Sequence, residues 1–410
     1  MKLRYIAMIT VLIAVLVGMS AGQAPSLVPL PATLTGELNG VPYQIRVPAN
    51  WNGTLLVYAH GYSSGPIPPK LTLLPQDETV LLARGFALAA SRFGGTGWNM
   101  KEGMQNTANL TAAFRDMVGR PQRTIMWGGS MGGLMTLGMI EKFPGLYDGA
   151  IALCPPAAGT PRRFDLGLDI ALAYAVAFEW NQQWGTPGDI RDDLNFSVEV
   201  LPYLSPATTN DQIGRWEFIR LVNKMPIDSY YAPLNFRISN MNFAMAVRAE
   251  LEHRAGGAVA TNINRVYTLS SDDKLYLMNQ YGLDVEPLLA QMNAQTIYAP
   301  DPNARNYAEH YVNPTGRITR PVITLHTKGD SLAIPGHESA YRVAVEQQGN
   351  GNLLVQQFTD GVAHCYFTSE QDIAAVDAMM HWLDSGNRPD ASFFSAPGFL
   401  EEFVPEPWAW

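Results

Sequence analysis

The chain has 410 residues, 47% of them hydrophobic and 16% charged, with a formal net charge of −9. That apolar share is ample to offset chain entropy and excludes a disordered or fibrous protein. The acidic balance lacks the basic footprint of a nucleic-acid binder, and two cysteines are too few for a disulfide scaffold or a four-thiolate zinc site.

Lys2 and Arg4 form a short basic region, and Tyr5 to Gly18 is an almost uninterrupted apolar run. Ala21, or Gly22-Gln23-Ala24, then offers a small-residue cleavage site. This is the layout of a secretory signal peptide, and the run falls short of the ~20 residues of a membrane span. Residues 1–24 are expected to be removed on export, leaving a secreted or periplasmic protein with no stable membrane insertion.

Residues 33–39 and 42–48 bracket Asn39-Gly40, a two-residue hairpin signal. Leu55 to Ala59 reads as a buried strand ending at His60-Gly61. A helix is expected around 76–84, a strand at 86–90 and a helix at 103–118. A strand at 123–127 runs straight into Gly128-Gly129-Ser130-Met131-Gly132-Gly133, with a helix near 131–142 and a strand at 149–154 after it. Continuous apolar strands alternating with helices indicate an α/β chain with a mostly parallel central sheet covered on both faces.

The alternation stops at Pro155. Helical stretches at 166–180 and 216–222 follow, separated by Pro, Gly and Asn, until strand–helix order resumes at 321–325, 337–347, 353–358 and 369–383. The organisation read from this is a core in two parts, 25–155 and 316–391, around an inserted, mainly helical lid at 156–315. A tail at 392–410, rich in Phe, Pro and Trp, is expected to pack along the surface.

Gly128-x-Ser130-x-Gly132 lies between an apolar strand and a helix, where a nucleophile elbow must lie. A serine there projects its hydroxyl above the sheet, and the helix N-terminus behind it favours negative charge, so the Met131 N–H can face an oxyanion. No Gly-Lys-Ser/Thr follows, so the loop does not read as a phosphate cradle. A serine hydroxyl needs a base. His364, in the loop after strand 353–358, is the candidate; His60, His253, His310, His326, His337 and His381 read as structural. Asp330 follows strand 321–325 and stands between nucleophile and base in sequence, as an orienting acid should. Its rival, Asp360, reads better as a turn residue before Gly361. The second oxyanion donor is expected at the Tyr62 N–H in the loop after the first central strand, and Trp98 is a candidate pocket residue.

The segments 33–154 and 317–386 resemble the α/β-hydrolase superfamily, on Gly-Gly-Ser130-Met-Gly-Gly as elbow, Asp330 as acid and His364 as base. Within it, the chain is similar to secreted esterases with a large lid inserted after the strand that follows the elbow, the feruloyl esterase and tannase group. His364-Cys365 matches the His-Cys pair of that group, whose partner cysteine directly precedes the nucleophile. Here Gly129 holds that position, so the pairing expected in its place is Cys154 with Cys365, both at one sheet edge of an exported protein. The lid is rich in aromatics, Tyr230 and Tyr231 among them. Their first reading is lid core, with Phe178 and Trp184 as candidates to cover an apolar or aromatic acyl group.

The expected activity is carboxylic ester hydrolysis through a Ser130–His364–Asp330 triad and an acyl-enzyme, with no metal and no organic cofactor. The expected partner is a small-molecule or polymeric ester: a plant phenolic ester, a lipid or a polyester. A peptidase resembling the prolyl oligopeptidase branch shares the elbow, but here only about 35 residues precede the first strands, where those enzymes carry a large β-rich domain. A non-catalytic hydrolase-fold binder would have lost a member of the triad. An acyltransferase differs from the esterase only in pocket hydration.

Overall fold

The computed structural model describes residues 26–227 and 236–408; residues 1–24, expected to direct export, and Tyr230 and Tyr231 lie outside them. Asn39 and Gly40 take φ values of 54° and 76°, which let β1 (Ala32–Leu38) fold back on β2 (Val41–Val47) with Leu38 opposite Val41. The core continues through β3 (Thr54–Ala59), α1 (Pro75–Ala83), β4 (Ala87–Ser91), α2 (Met100–Met117), β5 (Arg123–Gly129), α3 (Met131–Lys142) and β6 (Gly149–Leu153).

A long insertion follows. It begins with α4 (Thr160–Ala177), a two-residue hairpin of β7 (Gly185–Thr186) and β8 (Asp189–Ile190), and α5 (Asn210–Val222). It continues with α6 (Phe236–Asn242), α7 (Arg248–Ala255), α8 (Ser271–Tyr281), α9 (Glu286–Ala294) and α10 (Pro302–His310). The sheet resumes with β9 (Val322–Thr327), α11 (Gly336–Gln347), β10 (Leu354–Thr359), α12 (Ser369–Ser385) and a short β11 (Phe399–Leu400).

Among the described residues the strands line up as β1-β2-β4-β3-β5-β6-β9-β10-β11. From β4 to β10 every neighbouring pair is parallel; β2 runs antiparallel to β4, and β11 antiparallel to β10. This is the α/β-hydrolase fold. Alternate side chains of the strands feed opposite layers. Val57, Met126 and Ala152 pack with α2, α3 and α11, whereas Leu56, Trp127 and Ile151 pack with α1 and α12. The insertion has a core of its own around Ile170, Trp216, Met241 and Leu277. No helix among the described residues is long and apolar enough to cross a membrane.

Two helices of the insertion start earlier than the apolar pattern suggests. Pro161 opens α4, because its fixed φ suits a first turn, and the helix ends before Phe178 turns extended. Thr209 and Gln212 form a capping box that starts α5 a turn and a half ahead of Trp216. The tail does more than lie on the surface: Phe399 and Leu400 pair with Thr359 and Phe358 as an added edge strand.

Candidate active site

β5 delivers the chain to Ser130 at φ 59° and ψ −123°, a strained position for a residue with a side chain, and α3 begins at the next residue. The Ser130 N–H donates to the Leu153 carbonyl at 2.9 Å, tying the turn to β6. A Cβ at Gly128 would stand 2.6 Å from the Gly132 carbonyl, and one at Gly132 would overlap the Ala59 carbonyl. The flanking glycines are thus required by close backbone approach, not by flexibility. At the first position of α3, directly after Ser130, the Met131 N–H has no carbonyl within its own helix to donate to.

His364, in the loop after β10, places Nε2 2.8 Å from Ser130 Oγ and Nδ1 2.6 Å from Asp330 Oδ2. Asp330 is fully buried, and its Oδ1 accepts from the Leu332 and Ala333 N–H groups at 2.9 and 2.8 Å. Burial by itself would raise its pKa. The positive charge available at His364, with bonds from His326 and His364, outweighs that and holds the carboxyl well below the usual carboxylate range. Asp360 is engaged elsewhere: its N–H donates to Gly398 at 2.8 Å, fixing the tail.

Cys154 and Cys365 are joined as a disulfide with Cα atoms 5.2 Å apart. The bridge ties the residue after β6 to the residue after His364, and the Thr327 hydroxyl donates to the Ala363 carbonyl at 2.7 Å from the other side. Cys154, His364 and Cys365 bring their ligand atoms within 4.8 Å of one another, a spacing that would suit a metal. With the sulfurs bonded to each other, no thiolate is left to hold one.

The loop after β3 passes against Ser130: a Cβ at Gly61 would lie 3.3 Å from that of Ser130, and Tyr62, the next residue, lines the same cavity as Ser130. His60 stacks on Phe93 at 3.8 Å, and its Nδ1 donates to the Gly61 carbonyl at 2.7 Å, which fixes the loop. A cavity of 380 Å³ opens here, lined by Tyr58, Gly61, Tyr62, Ile67, Leu73 and Ser130 among others.

Three expected pocket residues are placed elsewhere. Trp98 is 2% exposed, packs edge-on to Phe164 and Phe243, and donates its indole N–H to Thr160 Oγ1 at 3.0 Å. Trp184 is buried with its indole N–H on the Glu199 carbonyl, and Phe178 packs on Tyr174 and Trp216. Both pack in the core of the insertion: Trp184 because its indole N–H finds a buried carbonyl, Phe178 because its ring lies against Tyr174 and Trp216. None of the three lines the cavity at Ser130.

One residue read as structural touches the acid. His326, buried within β9, places Nε2 3.5 Å from Asp330 Oδ2 and Nδ1 3.1 Å from Glu338 Oε1. The signal was a histidine in a mostly apolar strand buried on both faces, where a polar ring must be satisfied.

No family model matches the chain. It is 25% identical to an o-phthalyl amidase of Xanthobacter agilis over 436 aligned positions, covering 90% of this chain and 91% of that protein. Among solved structures it is similar to feruloyl esterase B from Aspergillus oryzae, at 15% identity and a TM-score of 0.42 over 87% of this chain and 81% of the other. It is also similar to a proline iminopeptidase of Mycobacterium smegmatis, at 13% identity and a TM-score of 0.41 over 87% and 99%.

Proposed function

We propose that this α/β-hydrolase cleaves carboxylic esters through an acyl-enzyme on Ser130. The observation that carries the reading is the unbroken chain from Ser130 Oγ to His364 Nε2 at 2.8 Å and from His364 Nδ1 to Asp330 at 2.6 Å. Ser130 attacks the carbonyl carbon as His364 takes its proton, and Asp330 orients the imidazole and stabilises the imidazolium. The Tyr62 and Met131 N–H groups hold the oxyanion, a contribution on the order of 3 kcal/mol for each donor. His364 returns the proton to the leaving alcohol, then takes one from water to release the acid. The cavity walls of Tyr62, Ile67 and Leu73 favour an apolar acyl group of modest size. Residues 1–24 and the disulfide support an exported enzyme.

A second reading, amide hydrolysis by the same machinery, is favoured by the o-phthalyl amidase relative. The test is a chromogenic panel of esters and anilides with matched acyl groups, short-chain to aromatic and including phthalyl, run with wild type and Ser130→Ala. Ester turnover lost in the variant supports the first reading. Turnover confined to the anilides moves the assignment to an amidase, and turnover indifferent to Ser130 overturns both.

A further inference from the structure

His326 is enclosed by acceptors. Its Nδ1 faces Glu338 Oε1 at 3.1 Å, while its Nε2 faces the Ala333 carbonyl at 2.6 Å and Asp330 Oδ2 at 3.5 Å. A neutral imidazole carries one N–H, so it would turn a lone pair toward one of these oxygens. His326, Asp330 and Glu338 are all fully buried, where such a mismatch is costly. Glu338 is itself held in place facing the ring, its Oε2 accepting from the Thr324 hydroxyl at 2.8 Å and the Gln356 amide at 2.5 Å.

We propose that His326 is a doubly protonated positioning residue, a buried cation that shares Asp330 with His364 and thereby sets the acid limb of the activity. The proposal rests on the triad reading above. Asp330 and Glu338 together push the His326 pKa up to about 10 against the opposing effect of burial.

The charged surroundings close around it. Asp330 lies on the loop after β9, Glu338 and His337 on α11, Arg163 on α4 and His364 on the loop after β10. Burial, with the Arg163 and His326 charges, drives the His337 pKa well down, so that ring adds no charge of its own. Arg163 sits over the Phe243 ring, where burial lowers its pKa to about 10 and Asp330 favours its charge. The cation on Asp330 has a definite consequence. Asp330 divides its negative potential between two imidazoles, so with the His326 cation in place the Ser130-dependent activity extends further into the acid range than without it.

The test is the pH dependence of kcat/KM for wild type and His326→Gln on the preferred substrate of the panel, with Ser130→Ala as the control in both backgrounds. Two rings touching one oxygen are about 6 Å apart or less, where losing a unit charge moves a neighbour's pKa by on the order of one unit. The acid limb is expected to rise by about that amount, a shift that simple loosening of the core would not produce. An unmoved limb with activity still dependent on Ser130 overturns this inference and leaves the triad reading standing; activity independent of Ser130 overturns both. Should His326→Gln not fold, nitrogen NMR of wild-type protein labelled at histidine decides the matter. One imidazolium with both nitrogens protonated at pH 8.5 is expected, and its absence overturns the proposal.

Discussion

Replacing Cys154 and Cys365 together by alanine removes the one covalent link between the two parts of the core among the described residues. The bridge spans a sequence separation of 211 residues. Closing a loop of that size withdraws about 5 kcal/mol of unfolded-chain entropy on the chain-entropy estimate, and native disulfides in general contribute about 2–5 kcal/mol. The double variant leaves no unpaired thiol. Its cavity is small, because each substitution removes a single sulfur atom and Cys365 is only half-buried. A loss of about 3–5 kcal/mol is expected in urea denaturation followed by tryptophan fluorescence, and dithiothreitol should reproduce it in wild type. The loop carrying His364 would still be held by the Thr327–Ala363 and Asp330–His364 bonds. Turnover should therefore fall only about tenfold, the cost of a base that samples wrong positions. A stability change under about 1 kcal/mol with turnover intact would refute the view that this bridge restrains the chain.

Asp330→Asn should lower kcat about 10⁴-fold, because an amide favours the wrong imidazole tautomer, and should also cost stability by taking a counter-charge from buried His326 and Arg163; a kcat loss under about tenfold would reject its role. Gly132→Ala should yield little soluble protein, since its Cβ would overlap the Ala59 carbonyl, backbone that cannot step aside. A folded, active variant would contradict that geometry. Asp372 is buried beside Asp77, and burial followed by the Asp77 charge drives its pKa well up. A raised carboxyl favours the native state below the unfolded pKa of about 4 and loses that advantage as pH climbs toward the folded value. The melting temperature of Asp372→Asn relative to wild type should thus improve between pH 4 and pH 8, and a difference constant with pH would reject the reading.

The central strands were legible because each is a nearly continuous apolar run, ended at glycine or a polar pair as at His60-Gly61 and Gly128-Gly129. The helices of the insertion were legible only in part. The pattern of apolar residues marks where α5 packs, but its start is set by the Thr209–Gln212 box, a polar signal outside that pattern. Ser130, Asp330 and His364 stood out because each follows a strand at a position the fold uses for chemistry. Trp98, Phe178 and Trp184 show the opposite limit: an aromatic in apolar sequence reads the same whether it faces a ligand or a core. His326 escaped because its role depends on Asp330 and Glu338 facing it at once, and α11 brings Glu338 back only after the chain has folded.

Parallel strands explain why residues so far apart meet. Ser130 and His364 are 234 positions apart, yet both follow strands whose C-terminal ends reach one edge of the sheet. Gly61 after β3, Cys154 after β6 and Asp330 after β9 arrive at the same edge by the same rule. Register then sets the fine geometry. β6 holds β9 with Leu153 beside Leu325, and β9 holds β10 with Thr327 beside Thr359, so the loops carrying Asp330 and His364 leave the sheet at fixed heights. A one-residue slip of β9 would turn its buried side chains to the opposite face and move Asp330 by about 3.3 Å along the strand. That exceeds the tolerance of a 2.6 Å hydrogen bond to His364, so the packing that pins the strand register also sets the alignment of the triad.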